Sequence, residues 1–246
     1  MDVVVVDDRE SLGRVAASLV LDGLRADPGL VLGVATGSSP MTTYRALIAA
    51  HGEGADFSQV WCVALDEYVG LPESDPRSYH AFVRREIAEP LGVRPDHVLV
   101  PDGSAPDPAA ACAAFEDAVT DVGGVGIQLL GIGRNGHVGF NEPGSAFGSR
   151  THLARLSATT RRDNARFFAR PDDVPTHCLT QGVGTIVEAR RIVLVASGSH
   201  KAEAVAAAVD GPVTEACPAS ILQRHKAATV IVDREAAARL AVKTSV

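Results

Sequence analysis

The chain has 246 residues, of which 46% are hydrophobic and 22% are charged, the balance of an ordinary globular protein. A net charge of −7 and an aromatic content of 4% argue against a nucleic-acid partner, because phosphates attract a basic face and bases stack on aromatic rings. The four cysteines lack the spacing of a metal site, the first residues do not resemble a signal peptide, and no apolar run is long enough to span a membrane, so we expect a cytoplasmic protein without a metal ion or membrane contact.

Short β-branched runs alternate with helical patterns along the whole chain. The runs predict strands, several of them apolar on both faces as in a buried parallel sheet, at 2–6, 30–35, 60–65, 127–133, 191–197 and 228–233. The patterns between them predict helices at 10–26, 41–50, 79–88, 109–120 and 201–209. This alternation predicts an α/β fold with a doubly wound, mainly parallel sheet, helices on both faces and a single domain over residues 1–246. Ligands in such folds bind beyond the carboxyl ends of the strands.

The first strand exit with chemical content is GVATGSSPMTTY, at 33–44. Gly37, Ser38 and Ser39 precede Pro40 and a predicted helix, and free N–H groups and hydroxyls at a helix start suit a phosphate. An ordinary serine N-cap explains the same pattern. No lysine follows the glycine as in a P-loop, so a nucleotide site of that kind is excluded.

The second exit, LDEYVGLP, places Asp66 and Glu67 directly after an apolar strand. A carboxylate there faces the ligand crevice, and Asp66 can act as a general base if its surroundings raise its pKa. The alternative is an aspartate that caps a turn at the strand end.

The third exit, GIGRNGHVGFNEPG at 131–144, begins with the dinucleotide fingerprint G-x-G-x-x-G. That fingerprint requires a helix at its third glycine and an acidic residue after the next strand. Here glycines and a proline follow instead, which excludes the nucleotide site. The loop collects His137, Asn141 and Glu142 after a strand, which favours a functional site over a solvated surface histidine.

The fourth exit, ASGSHKAEAV at 196–205, places Lys201 in the first turn of a predicted helix, where a bound anion would offset the unfavourable helix dipole. The segment RRDNARFFAR at 161–170 adds four arginines. The pattern does not tell which of them points inward.

Together these segments resemble the glucosamine-6-phosphate deaminase (isomerase) family, whose motifs occur here in order over nearly the whole chain. The matching segments are TGSSPMTTYRAL, LDEYVGLP, GHVGFNEPGS, DNARFF, LTQGVGTI and SGSHKA. The resemblance implies a Rossmann-like fold and the conversion of glucosamine 6-phosphate and water to fructose 6-phosphate and ammonia, in amino-sugar catabolism. It also implies a small-molecule sugar phosphate as the ligand and no cofactor.

The resemblance also implies roles for individual residues. Asp66 matches the base that moves a proton between C2 and C1 of the opened sugar, His137 the residue that assists ring opening, and Glu142 its acidic partner. The phosphate site matches Thr36, Gly37, Ser38, Ser39, Arg166 and Lys201.

One position departs from the family pattern. Some members carry Asp two residues before the loop histidine, where this chain has Asn135. We predict that Glu142 mainly orients His137 and that Asn135 contributes a hydrogen bond at most.

Two alternatives remain. A 6-phosphogluconolactonase shares the fold and a Gly-His loop, but its loop usually continues towards Ser-Leu-Phe-Pro rather than VGFNEPG. A non-catalytic sugar-phosphate sensor usually carries an N-terminal DNA-binding segment, and such a protein would not need a base at Asp66. The chain ends soon after its last strand, so we expect a monomer or a low-order homo-oligomer.

Overall fold

The structure, a computed structural model, describes residues 1–241, apart from the side chains of Asp163 and Phe167. Ten strands occur in this part of the chain. They are β1 Asp2–Val6, β2 Val31–Val34, β3 Trp61–Ala64, β4 Asp66–Tyr68, β5 Val98–Leu99, β6 Ile127–Leu130, β7 His152–Arg155, β8 His177–Thr180, β9 Arg191–Ala196 and β10 Ala228–Asp233.

Eight α-helices lie between the strands of this part of the chain. They are α1 Arg9–Ala26, α2 Met41–Gly52, α3 Tyr79–Val83, α4 Glu89–Leu91, α5 Pro108–Asp121, α6 Ala158–Asn164, α7 Val183–Val187 and α8 Ala202–Val209. A π-helical stretch, Arg84–Ala88, joins α3 to α4. Turns of 3-10 helix include Ala165–Phe167, Ser199–Lys201 and Pro218–Arg224.

Seven strands form a parallel sheet in the order β1–β10–β9–β6–β2–β3–β5. From β2 the chain runs outward to β3 and β5, then returns to β6 on the other side of β2 and continues outward through β9 and β10. The strand order therefore reverses between β2 and β6. Loops that leave two such strands diverge to opposite faces and open a crevice at their carboxyl ends.

Side chains of the central strands alternate between two apolar cores. On β2, Leu32 and Val34 pack in one core with α1 and α2, whereas Val31 packs in the other core with residues of α5, α7 and α8. The period of two in a strand sends neighbouring side chains to opposite faces, and both faces are covered. This arrangement explains why these strands are apolar throughout, and it confirms the predicted doubly wound α/β fold with helices on both faces.

A second, antiparallel sheet of three strands in the order β4–β8–β7 lies at the edge of the fold and was not predicted. Its strands have three or four residues and mixed polarity, such as DEY and HLAR, so they lack the apolar signal of the main sheet. Asp66 consequently begins a strand of this sheet, where it pairs with Thr180. None of the helices in residues 1–241 is both long and apolar enough to cross a membrane.

Candidate active site

A cavity of about 760 Å³ opens at the carboxyl ends of β2 and β6, at the reversal of strand order. Eight of the residues proposed from the sequence line it, namely Thr36, Gly37, Ser38, Ser39, Asp66, His137, Arg166 and Lys201. Asn135 and Glu142 do not line the cavity and lie behind His137. The four strand exits identified in the sequence thus meet at one place.

Asp66 is a buried carboxyl at the cavity wall. Its side chain is only 5% exposed, and its Oδ1 accepts no hydrogen bond within residues 1–241. Burial, and then the nearby charge of Glu67, raise the pKa of Asp66 to about 8, because an apolar environment disfavours the charged form. An aspartate that merely capped a turn would use its oxygens for backbone N–H groups, so this geometry favours a base.

The neighbouring Glu67 uses its carboxylate for hydrogen bonds to the backbone. Its carboxylate accepts the backbone N–H groups of Tyr68 at 2.7 Å, Tyr79 at 2.9 Å and His80 at 2.8 Å. Burial raises the pKa of Glu67, although these N–H groups oppose that shift. Glu67 therefore ties β4 to the start of α3, and Asp66 is the carboxyl that remains at the cavity.

His137 belongs to a chain of three polar side chains. Its Nδ1 lies 2.7 Å from Asn135 Oδ1 but 3.8 Å from Glu142 Oε2. Asn135 Nδ2 in turn donates to Glu142 Oε2 at 2.7 Å. The expectation that Glu142 mainly orients His137 was therefore wrong. Asn135, two residues before the histidine, makes the direct contact with the ring and also donates to the carboxylate.

The hydrogen-bond directions in this chain show which ring nitrogen faces Asn135 with a proton. A carboxylate only accepts, so Asn135 must turn its NH2 towards Glu142 and its oxygen towards His137. The Nδ1 then donates its proton to Asn135 in both charge states of the ring, and Nε2 is the nitrogen that gains or loses a proton. Burial raises the pKa of Glu142, but hydrogen bonds from Thr160 and Asn135 and the adjacent His137 outweigh it, so the pKa lies below its ordinary value.

The loop before α2 forms another wall of the cavity. The helix begins at Met41 after Pro40, and none of the described side chains caps its N-terminus, so the alternative of an ordinary serine N-cap does not hold. Gly37 has φ +111°, a conformation that favours glycine. Arg9 donates to the backbone carbonyl of Ser38. The uncapped N–H groups at this helix start are suited to an anion.

The two cations proposed for the phosphate come from two other segments, and Arg77, Arg85 and Arg134 line the cavity as well. Lys201 lies in the 3-10 turn before α8, rather than in the first turn of a helix as predicted, and its Nζ donates to the carbonyl of Ile132 at 2.6 Å. Arg161 donates to the Val174 carbonyl and Arg170 pairs with Asp173. Arg166 is the arginine of the 161–170 segment that lines the cavity.

Several residues of the site were missed by sequence reasoning. Tyr68, Tyr79, Phe140, Asn164 and Phe168 line the cavity, and Thr160 donates to Glu142 at 2.5 Å. Phe168 and Asn164 lie in the motif DNARFF, which is the signal that could have indicated them. The aromatic side chains meet only in the folded chain, because they come from four separate segments.

Comparison with known proteins gives a consistent result. The family model of glucosamine-6-phosphate isomerases/6-phosphogluconolactonase matches residues 8–231. The chain is 50% identical to a glucosamine-6-phosphate deaminase of Pseudarthrobacter chlorophenolicus over 98% of its own length and 93% of the relative. It is 51% identical to the enzyme of that name from Cutibacterium acnes, over 98% and 92%.

Solved structures agree with these sequence relatives. A structure described as a monomeric glucosamine-6-phosphate deaminase superposes with a TM-score of 0.94 at 44% identity, covering 97% of this chain and 100% of the other. A 6-phosphogluconolactonase from Trypanosoma cruzi has a TM-score of 0.77 at 20% identity, over 98% and 97%, and shares the fold. The chain therefore belongs to the family of glucosamine-6-phosphate isomerases and 6-phosphogluconolactonases, on the side of the deaminases.

Proposed function

We propose that this protein is a glucosamine-6-phosphate deaminase, which converts glucosamine 6-phosphate and water to fructose 6-phosphate and ammonia. One observation carries the proposal. A buried carboxyl with a raised pKa, Asp66, shares a single cavity with His137, whose ring is held from behind by Asn135, and with an uncapped helix start flanked by cations. Sequence identity of about half to deaminases supports the same substrate.

Ring opening comes first, because the amino sugar phosphate is cyclic and its C1 must become an aldehyde. The step removes a proton from the C1 hydroxyl and returns one to the ring oxygen. His137 suits both transfers, since neutral imidazole accepts a proton on Nε2 and imidazolium donates it back. Asn135 and Glu142 keep the ring oriented and stabilise its charged form.

Isomerisation follows at Asp66. The carboxylate removes the proton from C2, the electrons form a C1–C2 double bond, and the aldehyde oxygen gains a proton to give an enolamine. Return of a proton to C1 gives an imine at C2. Water adds to this imine and ammonia leaves, so that C2 becomes the ketone of fructose 6-phosphate. The C–N bond thus breaks after an isomerisation, and we describe the reaction as an isomerising deamination rather than a direct hydrolysis.

Replacement of Asn135 by alanine is expected to lower kcat/KM by about tenfold to a hundredfold, a part of the ~10²–10⁴ that a positioned acid–base group contributes. The reason is that Nδ1 of His137 loses its acceptor at 2.7 Å, and the Glu142 carboxylate lies 3.8 Å away. Steady-state kinetics with glucosamine 6-phosphate check this. Unchanged kinetics would show that Glu142 orients the ring without Asn135.

The substrate phosphate is proposed to bind at Thr36–Ser39, Arg166 and Lys201. Lys201→Ala is expected to raise KM by about tenfold with a smaller change in kcat, because a phosphate contact is present in both ground and transition states. Exposed Lys226, which precedes β10 and does not line the cavity, offers a matched lysine-to-alanine control. A loss of kcat at constant KM would assign Lys201 to the chemistry instead.

An ammonia-release assay tests the proposed function. Purified protein is given glucosamine 6-phosphate, its galacto epimer and 6-phosphogluconolactone. We expect ammonia and fructose 6-phosphate from the first. Hydrolysis of the lactone alone would favour the lactonase alternative, and binding of the sugar phosphate without turnover would favour a sensor.

We further propose that the protein acts in the cytoplasm as a monomer or small oligomer. Four buried cysteines are free thiols, as is usual in reducing compartments. The solved deaminase of similar sequence is described as monomeric. Light scattering on the purified chain measures the oligomeric state.

A further inference from the structure

The turn that carries Arg166 is held at both ends by one side chain, Tyr68. Asn164, directly before the turn Ala165–Phe167, donates from Nδ2 to the Tyr68 hydroxyl at 2.9 Å. Directly after the turn, the Phe168 ring packs edge-on against the Tyr68 ring, with centroids 5.8 Å apart at 83°. Arg166 lies midway between these two contacts. Both ends of its turn are therefore fixed relative to the cavity.

Tyr68 is itself firmly placed. It is 1% exposed, lies on β4 two residues after Asp66, and so shares a strand with the proposed base. Tyr79 stacks on it with centroids 4.7 Å apart, and the Tyr79 hydroxyl donates to the Tyr68 hydroxyl at 3.1 Å. Thr36 lies beside Tyr79 at the cavity, where its side chain opposes the rise that burial causes in the pKa of the Tyr79 hydroxyl. A continuous chain of contacts thus runs from the loop before α2 to Asn164.

The two ends of this chain are the two halves of the proposed phosphate site. Thr36 begins the loop before α2, and Asn164 begins the turn with Arg166. Tyr68 adds no charge of its own at neutral pH, and burial raises the pKa of its hydroxyl further, to about 12. Tyr68 instead fixes the positions of Asp66, of the loop at Thr36 and of the turn with Arg166 relative to one another.

We propose that Tyr68 is a positioning residue for Arg166, and that its hydroxyl and ring set the place of the guanidinium opposite the loop at Thr36. The inference rests on the proposed function, because it takes Arg166 to bind the substrate phosphate. The hydroxyl sets the near end of the turn through Asn164, and the ring sets the far end through Phe168. Tyr68→Phe separates these contributions, since it keeps the ring and removes the acceptor.

The test measures the dissociation constant of inorganic phosphate by calorimetry, which needs no turnover. Tyr68→Phe and Asn164→Ala are each expected to weaken phosphate binding about threefold to tenfold, because each removes the hydrogen bond between Asn164 and Tyr68 that holds the turn of Arg166. The double variant should be no weaker than either single variant, because both remove the same bond. In an Arg166→Ala background, Tyr68→Phe should have no further effect. Arg162 is an exposed arginine of α6, the helix that ends at Asn164, and Arg162→Ala serves as the control for the loss of a positive charge.

The background variant separates positioning from a general structural role. If Tyr68 only stabilised the fold, Tyr68→Phe would weaken phosphate binding equally with and without Arg166, and that result would overturn the proposal. Unchanged phosphate binding in both single variants would overturn it as well. If Tyr68→Phe fails to fold, Asn164→Ala alone and combined with Arg166→Ala tests the same bond. If the variants show the expected phosphate affinities but the protein releases no ammonia, the proposed function is refuted and this inference stands. If the protein releases ammonia but the variants do not show those affinities, this inference is refuted and the proposed function stands.

Discussion

Asp66→Asn is expected to lower kcat for ammonia release by about a hundredfold to ten-thousandfold, the usual contribution of a positioned general base. The substitution keeps the shape of the side chain and removes its ability to accept the C2 proton. Binding of inorganic phosphate should change little, because the phosphate site lies on other segments. Assays on wild type and variant with glucosamine 6-phosphate measure the effect, and Asp172→Asn, at an exposed position outside the cavity, is the control. Turnover near the wild-type rate would contradict the mechanism.

The pH profile tests the same residue in a second way. Burial and Glu67 raise the pKa of Asp66 to about 8, so the carboxylate needed as a base becomes the main form of the free enzyme only above that pH. We expect kcat/KM of the wild type to rise with pH up to about 8. The residual activity of Asp66→Asn should lack this rise. A wild-type profile that is flat from pH 5 to 8 would contradict the assignment.

The ionisation of Asp66 should also lower the stability of the folded protein as the pH rises. The folded-state pKa of Asp66 is above its unfolded value of 3.8, so the folded protein holds the proton more tightly. The protonated carboxyl therefore contributes to the free energy of unfolding, by about 1.4 kcal/mol for each unit by which the two pKa values differ. This contribution is fully present below pH 4 and is lost as the pH rises through 8. Asparagine does not titrate, so the melting temperature of Asp66→Asn should rise relative to that of the wild type as the pH increases from 4 to 8.

How far the sequence predicts this site depends on where its residues lie. The main sheet was predictable because strands covered on both faces, such as β2 and β6, are apolar throughout. Their exit loops were predictable as ligand-binding segments, because parallel strands bring those loops to one edge. Asp66, His137 and Lys201 could thus be assigned to one site before any contact was known.

Other features arise only from contacts between distant segments. Strands β4, β7 and β8 carry too few apolar residues to be recognised, and pairing of Asp66 with Thr180 is a property of the folded chain. Asn135 was underestimated because sequence spacing does not tell which of two polar side chains reaches the imidazole. The turn that carries Arg166 is held by Tyr68, 98 residues earlier in the chain, through Asn164 and Phe168, and no local pattern indicates these contacts.

Gly133→Ala is expected to lower kcat/KM by about a hundredfold or more. A Cβ built on Gly133 would lie well inside van der Waals distance of the His137 ring, at Cε1, Nδ1 and Nε2. The ring therefore packs directly on the glycine, and any side chain must displace it from Asn135 and from the cavity. Small displacements of an acid–base group have large effects on rate. The second glycine of the apparent nucleotide fingerprint is thus explained by a histidine rather than by a pyrophosphate.

The backbone at Gly133 does not require glycine, which makes the experiment specific. Its φ is not among the positive values, whereas Gly136 has φ +85° and a Cβ there would also lie 2.6 Å from Cys217 Sγ. Gly133→Ala should therefore act through the His137 ring, with phosphate binding retained within about twofold. Gly148→Ala, where a Cβ meets no atom within 4 Å, is the matched control and should behave like the wild type. If Gly133→Ala keeps kcat/KM within about threefold of the wild type, the position of the His137 ring does not limit ring opening, and its role in the proposed mechanism must be given up.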